Sequence, residues 1–214
     1  MPSRRKSLPS FYLLMSLLML ALVTYGFSRT VGPSLLHNDR PHRFLVLLAI
    51  HGAVFYGWML FFVLQCALVR IHNIRLHRLL GWFGAGDGAM VILMGLWATF
   101  AEPAPVALER IGMVSMAGFG IPLALAILWR RRPAYHRRLL LVGTAVLTNA
   151  AFARFPGGFV PDHLFYLGTD LLIAAGIASD LLTEQRVHPV YRYALPLLVA
   201  AQTAVLIPAW RYLG

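Results

Sequence analysis

Apolar runs of about 17 to 26 residues recur seven times along the chain, at about 11–27, 44–69, 79–100, 111–129, 139–155, 164–182 and 193–210. A helix needs roughly 20 such residues to cross about 30 Å of hydrocarbon, so each run predicts one crossing. The expected fold is an all-α polytopic transmembrane bundle of about seven spans, a single integral membrane domain over residues 1–214. Connections of at most about 16 residues leave no room for a soluble domain.

One unit repeats within this pattern. His77-Arg78-Leu79-Leu80-Gly81-Trp82-Phe83-Gly84 returns as His136-Arg137-Arg138-Leu139-Leu140-Leu141-Val142-Gly143, each time after a basic segment and at the mouth of an apolar run. Prolines at 103, 105, 133, 156, 161 and 189 fall between runs, where a missing backbone donor costs little. Pro122 and Pro196 fall inside and predict kinks. Gly84 and Gly88 form a small-xxx-small pair that admits a neighbouring backbone, and the sixth span pairs Ala174 with Ala178 and Ala175 with Ser179. The third and sixth spans are therefore expected at the centre. Trp82, Trp129, Trp97 and Trp210 mark span ends, and only Trp58 is deep.

Composition agrees with a bilayer: 59% of the 214 residues are hydrophobic and 13% charged, too little polar surface to cover a soluble core. The net charge of +11 matters through its distribution. With the N-terminus inside, thirteen of nineteen basic residues lie inside: Arg4, Arg5, Lys6, Arg70, Arg75, Arg78, Arg130, Arg131, Arg132, Arg137, Arg138, Arg186 and Arg192. Arg29, Arg40, Arg43, Arg110, Arg154 and Arg211 lie outside. The excess predicts N-in, C-out in an inner membrane, with anionic lipid headgroups as partners of the inner loops and no nucleic acid. Arg4-Arg5-Lys6 before an apolar run also suits a signal peptide, but no small-x-small cleavage site follows, so a span is expected. Cys66 is the only cysteine, which excludes a disulfide within the chain and a thiolate metal cluster. The motifs of zinc hydrolases, serine hydrolases and phosphate-binding loops are missing.

Ionisable groups in hydrocarbon are costly and few, so each is a candidate. They are His51, Asp87, Arg154, Asp170 and Asp180, with Gln65, Asn149 and Gln202 as polar companions. At 1.5 Å rise per residue, His51 lies roughly 12 Å inward of Arg43, Asp170 roughly 10 Å inward of His163 and Asn149 about 7 Å inward of Arg154. The expected polar pocket is therefore His51, Asn149, Arg154 and Asp170 in the external half, with an Arg154–Asp170 ion pair between adjacent spans. That pair serves a site or simply locks two helices. His51 and Gln65, fourteen residues apart, share one helix face. His77, Arg78, His136 and Arg137 at the inner edge are either paired cofactor ligands with flanking arginines, or first-turn residues of a basic interface.

At Trp58-Met59-Leu60-Phe61-Phe62-Val63-Leu64-Gln65-x-x-Leu68-Val69, followed by His77-Arg78-x-Leu80-Gly81-Trp82, the chain resembles a family of bacterial multipass membrane proteins with a repeated His-Arg-x-Leu motif. Similar members continue with a second His-Arg-Leu segment, here His136 to Leu139, an Ala-Arg-x-Pro turn, here Ala153-Arg154-Phe155-Pro156, and an Asp-Leu-Leu span, here Asp170-Leu171-Leu172. The resemblance implies no activity. The chain also bears a distant likeness to b-type cytochrome helical bundles, which implies haem b. Those proteins pair intramembrane histidines, whereas only His51 is deep here.

Three functions follow as expectations. The first is a cofactor or redox protein with haem held by His51, His77 and His136. The second is a small proton-coupled transporter built on Asp170, His51 and Asn149. The third is a scaffold or accessory subunit that binds lipid or protein.

Overall fold

The computed structural model describes residues 11–36, 42–101, 105–155 and 164–209, and side chains from Phe44 onward in the second of these and up to Ser28 in the first. Eight helical segments occur among them: α1 (Phe11–Leu36), α2 (His42–Arg70), α3 (Ile74–Phe100), α4 (Val106–Leu128), α5 (Pro133–Leu147), α6 (Asn149–Phe152), α7 (Phe165–Glu184) and α8 (Pro189–Ala209). No strand occurs among the described residues. Arg4, Arg5, Lys6, Arg40, Pro103, Pro156, Pro161, His163, Trp210 and Arg211 lie outside them, as do the side chains of Arg29 and Arg43.

Six helices are long and apolar enough to cross a membrane: α1, α2, α3, α4, α7 and α8. The seventh expected span is α5 continued by α6, which together run from Pro133 to Phe152. The architecture is a helical transmembrane bundle. Helix ends alternate, so that the start of α1, the end of α2, the starts of α3 and α5, the end of α7 and the start of α8 gather at one end. Arg70, Arg78, Arg130 and Arg137 lie there, and it is called the basic end below.

Several helices begin before their apolar runs do. Helix α3 starts at Ile74, capped by Asn73, whose Oδ1 accepts the Leu76 N–H at 3.2 Å. Helices α5 and α8 start at Pro133 and Pro189, where the absent N–H costs nothing and the fixed φ suits a first turn. The polar first turns stay helical because their backbone is satisfied, although hydropathy alone ends there.

The centre is α5, not α3 and α7. Leu139 and every residue from Leu141 to Asn149 are buried, and α5 packs against α1, α4, α7 and α8. A helix shielded by protein need not be as apolar as one facing lipid, which is why α5 carries more polar groups than its neighbours. Its continuity breaks at Thr148, whose backbone N–H and Oγ1 both donate to the Ala145 carbonyl, at 3.0 and 2.6 Å. A hydroxyl that competes for a carbonyl tightens the turn at this point.

Close packing at the glycines differs from the expected backbone approach. A Cβ on Gly84 would collide with the Phe61 ring, and one on Gly88 would lie 2.5 Å from Leu123 Cδ2. Those positions accept side chains. Backbones meet at Gly26, where a Cβ would lie 2.5 Å from the Ala151 carbonyl oxygen, so that α1 crosses α6 in close contact. Trp58 is deep, 3% exposed, with its indole N–H donating to Thr144 Oγ1 at 3.3 Å and its ring edge-on to Phe119.

Candidate functional site

His77 and His136, in the first turns of α3 and α5, come together at the basic end. Their ring centres are 6.3 Å apart and their planes lie at 81°. The His136 Nδ1 lies 2.9 Å from the Ala126 carbonyl on α4. A carbonyl only accepts, so this contact puts the proton on Nδ1 and leaves the Nε2 lone pair unused. The Gln65 main-chain carbonyl lies against the His77 ring, while the buried His77 Nδ1 and both amide atoms of the buried Gln65 side chain lack a hydrogen-bond partner. A buried polar set with spare capacity is uncommon and calls for a ligand or water. Arg78 is exposed beside His77, and Arg130 stacks at 5.5 Å from the Trp82 ring centre, joining the α4–α5 turn to α3.

Beside this pair stands an ionic network that the sequence reading did not single out. Arg137 and Arg138 are adjacent, and the helical turn of about 100° between them sends one outward and one inward, with side chains 44% and 1% exposed. Arg138 Nε donates to both Asp180 oxygens at 2.9 and 3.1 Å. Its Nη2 donates to Asp180 Oδ1 and to Glu184 Oε1, and its Nη1 to the Ala134 carbonyl. Arg137 shares Glu184 Oε1 at 3.0 Å and lies 5.3 Å from the Tyr12 ring centre. Asp180 Oδ2 also accepts the His188 backbone N–H at 3.2 Å, and His188 Nδ1 accepts the Val190 N–H at 3.2 Å, which closes the α7–α8 turn. Burial first, and then the Arg138 charge, hold the His188 imidazole below its ordinary pKa against the opposing pull of Asp180 and Glu184. The ring is therefore neutral near pH 7, as its acceptor role at Nδ1 requires.

A signal for this network was present. Arg138 stands at i, i+3, i+4 and i+7 from Leu141, Val142 and Ala145, the inward face of α5, and Asp180 and Glu184 are one turn apart on α7.

The four residues expected to form the external pocket each bond elsewhere and not to one another, although Arg154 lies near enough to His51 to act on it through its charge. His51 Nδ1 lies 3.1 Å from the Met94 carbonyl on α3, and its ring packs 4.3 Å from Phe55. Asn149 Nδ2 donates to Ser115 Oγ on α4 at 2.7 Å. Asp170 Oδ1 accepts from Gln202 Nε2 on α8 at 3.1 Å. Arg154 makes no ion pair with Asp170. It donates to the Ala150 carbonyl at 2.6 Å and lies 4.4 Å over the Phe27 ring, because the turn after the short α6 carries it toward α1. Asp87 is half-buried on α3, with Oδ2 unpartnered. Asp180 belongs to the Arg138 network.

No family model, curated protein or solved structure matches the chain. Among the described residues, no group of three or more His, Cys, Asp or Glu side chains is arranged to hold a metal ion. The arrangement at the basic end is instead that of two imidazoles.

Proposed function

We propose that this protein binds a cofactor between His77 and His136 at the basic end of the bundle, and that the cofactor is haem b. The approach of the two rings carries the reading. Two imidazoles on one metal, with metal–nitrogen bonds of about 2 Å, have ring centres roughly 6 Å apart, which suits the 6.3 Å separation. The Nδ1–H to carbonyl contact of His136 is how a ligating histidine is usually oriented, because it fixes the tautomer and makes Nε2 more basic. Arg78, exposed beside His77, would pair with a carboxylate at the cofactor's edge, whereas Arg137 is held by Glu184. Bound haem would supply one-electron chemistry.

His51 is left out of the ligand set. It stands fourteen residues from Gln65 on α2, about 21 Å at 1.5 Å per residue, while the Gln65 carbonyl touches His77. The basic end is read as cytoplasmic, in a bacterial inner membrane, with the loop arginines on anionic headgroups. The test is optical. Full-length protein in mild detergent, as purified and after hemin titration, shows a Soret band that His77→Ala and His136→Ala each abolish or shift and His51→Ala retains. No saturable Soret band together with no metal above background overturns the reading.

A further inference from the structure

A second polar cluster lies in the opposite half of the bundle, away from the histidine pair, and is independent of the haem reading. Tyr166 and Asp170 stand one turn apart on α7, with Thr169 beside them on the same face. Tyr166 is 4% exposed and Thr169 fully buried, and neither hydroxyl has a hydrogen-bond partner. Asp170 is half-buried, and its contact is the neutral amide of Gln202, 3.1 Å from Oδ1. Across the interface, Ser115 Oγ donates to the Ile111 carbonyl at 2.8 Å and accepts from Asn149 Nδ2 at 2.7 Å. The Tyr166 hydroxyl lies close to this Ser115, whose own bonds go to Ile111 and Asn149.

Among the described residues, no cationic side chain pairs with this carboxyl. Arg154 is turned to Ala150 and Phe27, and His51 is held by Met94 on α3. The charges of Arg137, Arg138, Asp180 and Glu184 begin ten residues further along α7, about 15 Å away. Helices α5, α6 and α8 pack against α7: α8 presents Gln202, α5 and α6 carry no ionisable residue from Leu139 to Phe152, and Ser115 of α4 lies beyond Tyr166. A carboxyl within hydrocarbon must be neutralised by a partner charge or a proton. Two buried hydroxyls without partners demand a guest able to donate and to accept. Water meets both needs, because it bridges hydroxyls and delivers protons to a carboxyl.

We propose that Asp170 is an intramembrane proton-binding site, fed by water held on the Tyr166 and Thr169 hydroxyls and steadied by Gln202. The reaction is simple: a hydronium ion of the outer aqueous phase gives a proton to the bound water, which passes one of its own protons to a carboxylate oxygen and is left as neutral water, so that the buried charge is cancelled.

Infrared spectroscopy of full-length protein in lipid vesicles tests this, through the C=O stretch of a protonated carboxylic acid followed as pH is varied in sodium-free and sodium-containing buffer. The expected result is an acid band that titrates reversibly, disappears in Asp170→Asn, remains in Asp87→Asn and is indifferent to sodium. Gln202→Leu, which removes one charge-assisted bond, moves its midpoint by about one pH unit, and Tyr166→Phe shifts its frequency. A band set identical in wild type and Asp170→Asn overturns the proposal. So does a titration that moves with sodium at constant pH, which would mark a metal-cation site. Should Asp170→Asn fail to fold, Gln202→Leu and Tyr166→Phe decide alone, and an unmoved band in both overturns it.

Discussion

At the scale of residues, Arg138 is the most heavily committed of the described side chains, with every guanidinium nitrogen bonded. Breaking a buried ion pair by deleting one partner leaves the other charge stranded and costs about 3–5 kcal/mol. Arg138→Ala should therefore abolish or severely weaken folding, whereas Arg137→Ala, whose pair is largely solvated, should cost no more than about 1 kcal/mol. Thermal unfolding in detergent separates the two, and equal losses would contradict the structure. His188 gives a pH dependence. Its folded-state pKa lies below the unfolded value of 6.5, so its contribution is complete above that value and is lost as pH falls through the folded one. Stability should decline as pH is lowered from 7 toward 5. In His188→Asn, which still offers an acceptor to Val190 but does not titrate, the decline should be shallower. Parallel curves for the two proteins would remove His188 from the account.

At the scale of elements, the seven apolar runs are legible in the sequence because hydrocarbon demands length and apolarity and little else. Their ends at the basic side are less legible. Helix α3 continues through Arg75, His77 and Arg78 and α5 through His136 and Arg137, since long cationic side chains reach water while the backbone stays helical. The central place of α5 was hidden by its own polarity, because hydropathy ranks lipid contact, whereas a helix wrapped by protein is chosen by packing and pairing. Glycine spacing in α3 similarly pointed to a backbone crossing, yet the close approach of backbones is at Gly26 and Ala151. Gly26→Ala must push α1 off α6 and should cost about 1–3 kcal/mol, measured by thermal unfolding. An unchanged midpoint would mean that the two helices do not meet so closely.

At the scale of the whole molecule, the repeated His-Arg-x-Leu unit acquires a meaning that spacing along the chain did not reveal. His77 and His136 belong to separate copies, fifty-nine residues apart in the sequence, and the fold sets their rings 6.3 Å apart. The pocket read from helix depth was less successful. Depth orders residues along the membrane normal but says nothing about which side of a helix they face, so His51, Asn149, Arg154 and Asp170 share a level and not a site. Only Asn149 and Asp170 lie near one polar cluster, reached through Ser115 and Tyr166. Among the described residues, paired imidazoles stand beside an ionic lock at the basic end, and Asp170, bonded to the neutral Gln202, stands ten residues before Asp180 on α7.

Ligation of one haem iron by both His77 and His136 is what the proposed function requires. Electron paramagnetic resonance of the hemin-loaded ferric protein measures this most directly. The account predicts a low-spin signal of two imidazole ligands that turns high-spin in both His77→Ala and His136→Ala and is restored in each by added imidazole. A signal unchanged by either substitution, or no specific haem signal in the wild-type protein, would contradict it.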